Sequence, residues 1–163
     1  MTAEEFGALF RAHIAEISRF LARRLPADQV DDIASDLFEI AWSKRSSIPK
    51  DFELPWLYKT ARYLISNHRR KEAGRYSILA TLAEPVAAPS AEVIALADME
   101  LAEAWGKLPL KDQEVLAMWS FDGLEPNQIA KALGLSTNAV NVRLSRAKKS
   151  LLQELEKNND PVT

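Results

Sequence analysis

Apolar residues recur at spacings of three and four along most of the chain. Phe6, Phe10, His13, Ile14, Ile17, Phe20 and Leu21 make the first such stripe, which predicts an amphipathic helix ended by Leu25-Pro26. A second helix is predicted over "ADQVDDIASDLFEIAW", with Val30, Ile33, Leu37 and Ala41 inward. Asp28, Asp31 and Asp32 fall near its start, where acids complement the helix dipole. An irregular basic loop, "SKRSSIPKDFEL", leads to a third helix, "PWLYKTARYLISNHRRKEAGR". Pro55 suits its first turn, Leu57, Ala61, Leu64 and His68 form its inward stripe, and Gly74 stops it.

The stretch "SILATLAEPVAAPS", residues 77–90, has two prolines and one charge. It reads as a flexible linker, although Ile78, Leu79 and Leu82 are apolar enough to dock. Four helices are predicted beyond it, near 90–105, 109–121, 125–133 and 136–157, separated at Leu108-Pro109, Asp122-Gly123 and Gly134. No alternating β-branched run interrupts this pattern. The predicted fold is all-α, with two small helical domains, 1–76 and 91–163, joined by the linker 77–90. The second is a four-helix unit containing a helix-turn-helix.

Charge changes this picture because it is sorted along the chain. The net balance is -4 over residues 1–42, +6 over 43–76, -6 over 77–135, +4 over 136–152 and -2 beyond, giving -2 for all 163 residues. Residues 136–152 contain no acid at all. Two basic blocks separated by an acidic one point to two surfaces facing a polyanion. Solvated helix faces would give similar runs, so the sorting needs a motif beside it.

The second basic block has one. "PNQIAKALGLSTNAVNVRLSRAKK" carries helix-turn-helix spacing: small Ala130 where two helices approach, Gly134 at the turn, and Val140 facing back into the core. Ser136 suits the N-cap of the second helix, which this motif lays in the DNA major groove. At about 100° per residue, Val140, Leu144, Ala147 and Leu151 cluster inward. Asn138, Val142, Ser145 and Lys149 point the opposite way. Asn141 and Arg146 lie on the flanks, with Arg143 nearer the core side. The base-contact candidates are therefore Thr137, Asn138, Asn141 and Val142, since asparagine pairs with adenine and valine meets a thymine methyl. Arg143, Arg146, Lys148 and Lys149 are the phosphate candidates; their alternative role is to solubilise the surface.

In the first basic block, Lys59, Arg62, Arg69, Arg70, Lys71 and Arg75 interleave with Trp56, Tyr58 and Tyr63. That mixture suits single-stranded nucleic acid, where bases stack on rings and cations follow the backbone. Each aromatic taken singly is as well explained by packing, and Trp56 is expected to be core or half-core.

Other chemistry is not indicated. The chain has no cysteine and only two histidines, His13 and His68, so neither a disulfide framework nor a thiolate metal site is possible. No nucleophile–base set, paired-carboxylate site or phosphate loop is visible, and an enzyme or a cofactor is not expected. No apolar run approaches the roughly 20 residues that span a bilayer, and the acidic start "MTAEEF" has no signal-peptide pattern. The expected location is the cytoplasm, without membrane insertion.

Four stretches, "DQVDDIASDLFEIAW", "PWLYKTARYLISNHRRKEAGR", "LPLKDQEVLAMWSFDGLEPNQIAKALGLS" and "NAVNVRLSRAKKSL", in this order and spacing, resemble an extracytoplasmic-function sigma factor of the sigma-70 superfamily. The resemblance runs from about residue 5 to 155. It implies a bacterial transcription initiation factor whose first domain recognises and helps melt the -10 element while the second reads the -35 element. It also implies binding to the clamp and flap of core RNA polymerase, and control by an anti-sigma factor. The acidic second helix would meet the polymerase through Asp31, Asp32, Asp36, Glu39 and Trp42. The loop from Lys44 to Leu54, with Lys44, Arg45, Lys50 and Phe52, would take a flipped -10 base. Arg62, Asn67, Arg69 and Arg70 would touch the duplex beside it. The chain departs from the family pattern at Ser35-Asp36, where Gln-Glu is common, at Tyr63, and at Glu125-Pro126-Asn127-Gln128, where Ser-x-x-Glu is usual.

Two rival readings remain at this level. A stand-alone helix-turn-helix regulator leaves the first domain without a task, and a helical adaptor leaves the second basic block without one. The acidic block 77–135 should discourage nonspecific DNA binding by the free chain. Titration of duplex promoter DNA should therefore show weaker binding by the free chain than by the chain bound to polymerase; equal affinity contradicts this role.

Overall fold

The computed structural model describes residues 1–74 and 87–158. Among these residues it contains helices and no strands. They group into two compact units, one of Met1–Ala87 with Lys131–Leu133 and the other of Ala88–Ala130 and Gly134–Thr163. The linker expectation for Ile78, Leu79 and Leu82, and the role given to Arg75, fall outside the described residues.

The first unit packs three helices against one another: α1 (Ala3–Ala22), α2 (Val30–Ser43) and α3 (Glu53–Glu72). Thr2 and Glu5 form a capping box at the start of α1: the Glu5 amide donates to Thr2 Oγ1 at 3.1 Å and the Thr2 amide to Glu5 Oε2 at 3.0 Å. Such reciprocal caps satisfy two amides that the helix itself leaves unpaired. A short 3₁₀ turn, Ala27–Gln29, precedes α2. The core holds Ile17, Phe20 and Leu21 of α1, Leu37 and Ala41 of α2, and Leu57, Tyr58, Ala61 and Ile65 of α3.

Two expectations change here. The inward stripe of α3 runs through Tyr58 and Ile65 rather than Leu64 and His68, which are half-exposed. The helix continues its stripe in steps of four from Leu57, and Tyr58 closes it by meeting the Phe20 ring at 4.6 Å. Tyr58 is thus a core residue and not a stacking platform. Arg24, which the periodicity does not single out, is buried over the Phe20 ring at 3.7 Å. Its guanidinium donates to the Phe20 carbonyl at 3.0 Å and the Ala87 carbonyl at 2.6 Å, which is what makes a buried charge tolerable.

The second unit contains α4 (Ala91–Ala97), α5 (Met99–Gly106), α6 (Leu110–Ser120), α7 (Pro126–Leu133) and α8 (Thr137–Asn158). The single helix expected near 90–105 is in fact two. Asp98 is extended, at φ -166° and ψ 122°, and its carboxylate accepts from the Leu101 amide at 3.1 Å. Aspartate favours an N-cap over a helix interior because its short side chain bonds nearby backbone amides.

α6 is buried almost all round from Asp112 to Met118 and packs against α8. Trp105 and Phe121 pack their rings 5.6 Å apart. Gly134 ends α7 in the left-handed region, φ 70° and ψ 33°, and the Leu135 amide returns to the Ala130 carbonyl at 2.9 Å. Nothing lies within 4 Å of where its Cβ would stand, so the requirement for glycine is conformational alone. Gly134→Ala should cost about 1–2 kcal/mol of unfolding free energy, and Gly134→Asn less, in denaturant unfolding.

Candidate nucleic-acid interface

The turn at Gly134 delivers the chain to Ser136, whose Oγ accepts from the Ala139 amide at 3.1 Å. This cap sets the first turn of α8. Val140, Leu144 and Ala147 are buried, while Leu151 is half-buried. With that face committed to the core, Thr137, Asn138, Asn141 and Val142 all stand exposed, Asn138 and Val142 opposite it and Val142 at 57%. The four base-contact candidates therefore share one accessible surface at the N-terminal end of α8.

The four cations behind them are not equivalent. Lys149 is exposed and Arg143 half-buried. Lys148 is half-buried, with Nζ 3.6 Å from the Trp119 ring centre, an arrangement in which the ring face attracts the cation. Arg146 Nη2 lies 3.0 Å from Asp112 Oδ1 of α6. Two of the four thus have a protein partner that periodicity along α8 did not reveal, because each partner comes from a different helix.

In the first unit, Asp31, Asp32, Asp36 and Glu39 lie exposed along α2. Phe38 is buried and edge-on to Phe10, at 4.8 Å. Trp42 packs edge-on to Phe6 at 5.2 Å yet stays 39% exposed. Arg45 lies 3.9 Å over the Trp42 ring and donates to the Trp42 carbonyl at 2.8 Å. It therefore closes the end of α2 rather than reaching out freely.

The loop between α2 and α3 divides its own candidates. A 3₁₀ turn, Arg45–Ser47, and the buried Ile48 pin it to the unit. On one side, Lys44 shares an open cleft of about 630 Å³ with Trp56, Lys59, Tyr63 and Asn67. On the other, Arg45 and Lys50 line a cleft of about 650 Å³ with Glu5, Leu9 and His13 of α1. Phe52 is half-buried at the start of α3. The loop residues grouped by sequence thus face two different clefts. Along α3, Arg70 donates to the side-chain Oδ1 of Asn67. Arg69 donates to the Arg24 carbonyl at 3.1 Å, and Arg62 is half-buried.

Comparison with known proteins falls on the same residues. Residues 98–151, which contain the helix-turn-helix, match the family "Sigma-70, region 4". The chain is 29% identical over 163 residues to the RNA polymerase sigma factor NccH of Alcaligenes xylosoxydans xylosoxydans, covering 93% of this chain and 87% of that one. It is 33% identical over 136 residues to the probable RNA polymerase sigma factor RfaY of Xanthomonas campestris pv. campestris. That match covers 77% of this chain but only 34% of the longer relative. Residues 98–151 are thus a sigma-70 region 4, and over 93% of its length the chain is similar to an RNA polymerase sigma factor.

The fold of the sigma factor agrees. It is similar to CnrH, solved with the cytosolic domain of CnrY, at a TM-score of 0.65 and 24% identity, covering 97% of this chain and 92% of that one. It is also similar to the sigma factor RpoE of Bartonella quintana, solved with the anti-sigma factor NepR. There the TM-score is 0.66 at 21% identity, with 97% and 100% coverage. Where the family has Ser-x-x-Glu ahead of its helix-turn-helix, the sigma factor closes a capping box with Glu125 and Gln128. The Glu125 amide donates to Gln128 Oε1 at 2.9 Å. A different residue pair thus performs the same capping.

Trp56, Lys59 and Tyr63 are the residues that sequence reasoning undervalued, since they join Lys44 and Asn67 only through the cleft. Their spacing of three and four on α3 was the available signal. Burial separates the two tyrosines, with Tyr58 at 1% and Tyr63 at 53%. Tyr58→Ala should destabilise the fold by about 3–5 kcal/mol, whereas Tyr63→Ala should stay within about 0.5 kcal/mol in denaturant unfolding.

Proposed function

We propose that this sigma factor directs core RNA polymerase to promoters, with α8 reading the -35 element and the first unit engaging the -10 element. The observation that carries this is the outer face of α8, within the stretch related to sigma-70 region 4. It is free of acids in sequence, exposes Thr137, Asn138, Asn141 and Val142 at its start, and places Arg143, Arg146, Lys148 and Lys149 behind them. Base edges are then met by short polar and apolar side chains, and phosphates by cations that set register without reading sequence.

In the first unit, the acids of α2 offer a surface to polymerase: Asp31, Asp32, Asp36 and Glu39, with Trp42 at their end. The cleft holding Lys44, Trp56, Lys59, Tyr63 and Asn67 supports capture of an unpaired -10 base. Lys50, Phe52, Arg62, Arg69 and Arg70 act along the adjoining strand. Unstacking a base costs a few kcal/mol, which a ring and a cation at the mouth of such a cleft would offset. The sigma factor itself performs no chemistry in this scheme, and it acts in the cytoplasm, where polymerase is found. Among the described residues, no helix is long and apolar enough to cross a membrane.

An anti-sigma factor is the further partner. CnrH and RpoE were each solved with a second protein, the cytosolic domain of CnrY and the anti-sigma factor NepR, and we extend that kind of control to this chain. A stand-alone regulator gains no support from the relatives, since the match to NccH spans 93% of the chain, not the helix-turn-helix alone. Run-off transcription with core polymerase over a promoter library should yield transcripts sharing two sequence elements. Asp36→Ala with Glu39→Ala should reduce retention of core polymerase in a pull-down. No transcripts and no association would overturn the proposal.

A further inference from the structure

We propose that Asp112 of α6 is a positioning residue for promoter binding, holding the Arg146 guanidinium where the DNA backbone is to meet it. The inference rests on the reading of α8 given above. The Asp112 side chain is only 5% exposed, and its Oδ1 lies 3.0 Å from Arg146 Nη2, whose side chain is 60% exposed.

The pair is thus strongly asymmetric. Its acidic end is fixed by burial in the first turn of α6, a helix enclosed on nearly all sides. Its cationic end reaches into solvent from α8. An arginine presents five N–H donors in a rigid planar fork. The contact with Asp112 engages one edge of that fork, and the remaining donors are available to phosphate oxygens. A free arginine gives up several side-chain rotations when it binds. One already held by a buried carboxylate has given up part of that freedom before DNA arrives, and such preorganisation strengthens binding without adding a contact.

The charge arithmetic makes this testable. Residues 136–152 contain no acid, yet the fold brings one to them from another helix. Coulomb repulsion alone says that removing a carboxylate near the DNA-facing surface should tighten binding. Positioning says that the same change should loosen it. The two effects have opposite signs, so one substitution decides between them. Lys148 over the Trp119 ring, at 3.6 Å, is a second cation of α8 steadied from α6, here by a partner that carries no charge.

The experiment uses the full chain assembled with core polymerase, on promoters recovered from the transcription library. Affinity is measured for wild type, Asp112→Asn, Arg146→Ala and the double variant. Arg146→Ala should weaken binding. Asp112→Asn should weaken it about two- to tenfold despite the lost negative charge. The double variant should match Arg146→Ala alone, because Asp112 acts only through Arg146. A purely structural role would lower thermal stability and leave the affinity of folded protein unchanged. As a measure independent of any variant, ¹⁵N relaxation of the Arg146 Nε–H group in the free wild-type chain should report a rigid side chain. A mobile guanidinium there, or Asp112→Asn binding as tightly as wild type while Arg146→Ala binds more weakly, overturns the inference and leaves the DNA-reading role of α8 intact. Arg146→Ala indistinguishable from wild type, or a library that yields no promoter, overturns both.

Discussion

The packing of α8 against α6 decides what every other side chain of α8 can do. Val140, Leu144 and Ala147 are buried, and α8 gives this face to the core. Committing that face leaves Thr137, Asn138, Asn141 and Val142 exposed at the start of the helix. The orientation is prepared before α8 begins. Gly134 turns the chain in the left-handed region that glycine enters without strain, and Ser136 caps the new helix. α6 also supplies the partners of two cations, Asp112 for Arg146 and Trp119 for Lys148. α6 therefore acts as both the packing floor and the electrostatic guide for α8.

The first unit applies a related constraint differently. Its three helices close around Ile17, Phe20, Leu37, Leu57, Tyr58 and Ile65, and what remains outside is divided by the loop between α2 and α3. The acids of α2 stand on an exposed row. Trp56, Lys59 and Tyr63 of α3 open onto a cleft with Lys44. Arg45, Arg69 and Arg24, which charge counting treats as equivalent to their neighbours, are bound to backbone carbonyls. A basic block is thus part scaffold and part surface. Its net charge describes the field a polyanion meets at a distance, but not which cations are available on contact.

Much of this was legible in the chain itself. Helix spacing located the helices of the first unit because burial of one apolar stripe is a local, repeating demand, and Leu108-Pro109, Asp122-Gly123 and Gly134 marked the helix ends of the second. The helix-turn-helix was visible for the same reason: Ala130, Gly134, Ser136 and Val140 each satisfy a requirement set within a few residues. The misses share a cause. Asp98 splits one expected helix because its carboxylate captures an amide three residues on, and a stripe of apolar residues does not register a cap in its midst. Tyr58 and Ile65 replaced Leu64 and His68 in the core because the partner helices, not the periodicity, choose which edge of a broad apolar face is covered.

The amino-acid sequence by itself determined the all-helical class, the sorting of charge into blocks and the acid-free stretch 136–152. These depend on residue order and on the 3.6-residue period alone. Only the tertiary structure decided which cations stand in solvent and which are held, and that a buried carboxylate from α6 lies beside the acid-free stretch. It likewise decided that Lys44 shares a cleft with Tyr63 while Lys50 faces another. The physical reason is range. Periodicity and capping act over three or four residues, whereas Asp112 and Arg146 are 34 residues apart in sequence and become neighbours only when two helices pack.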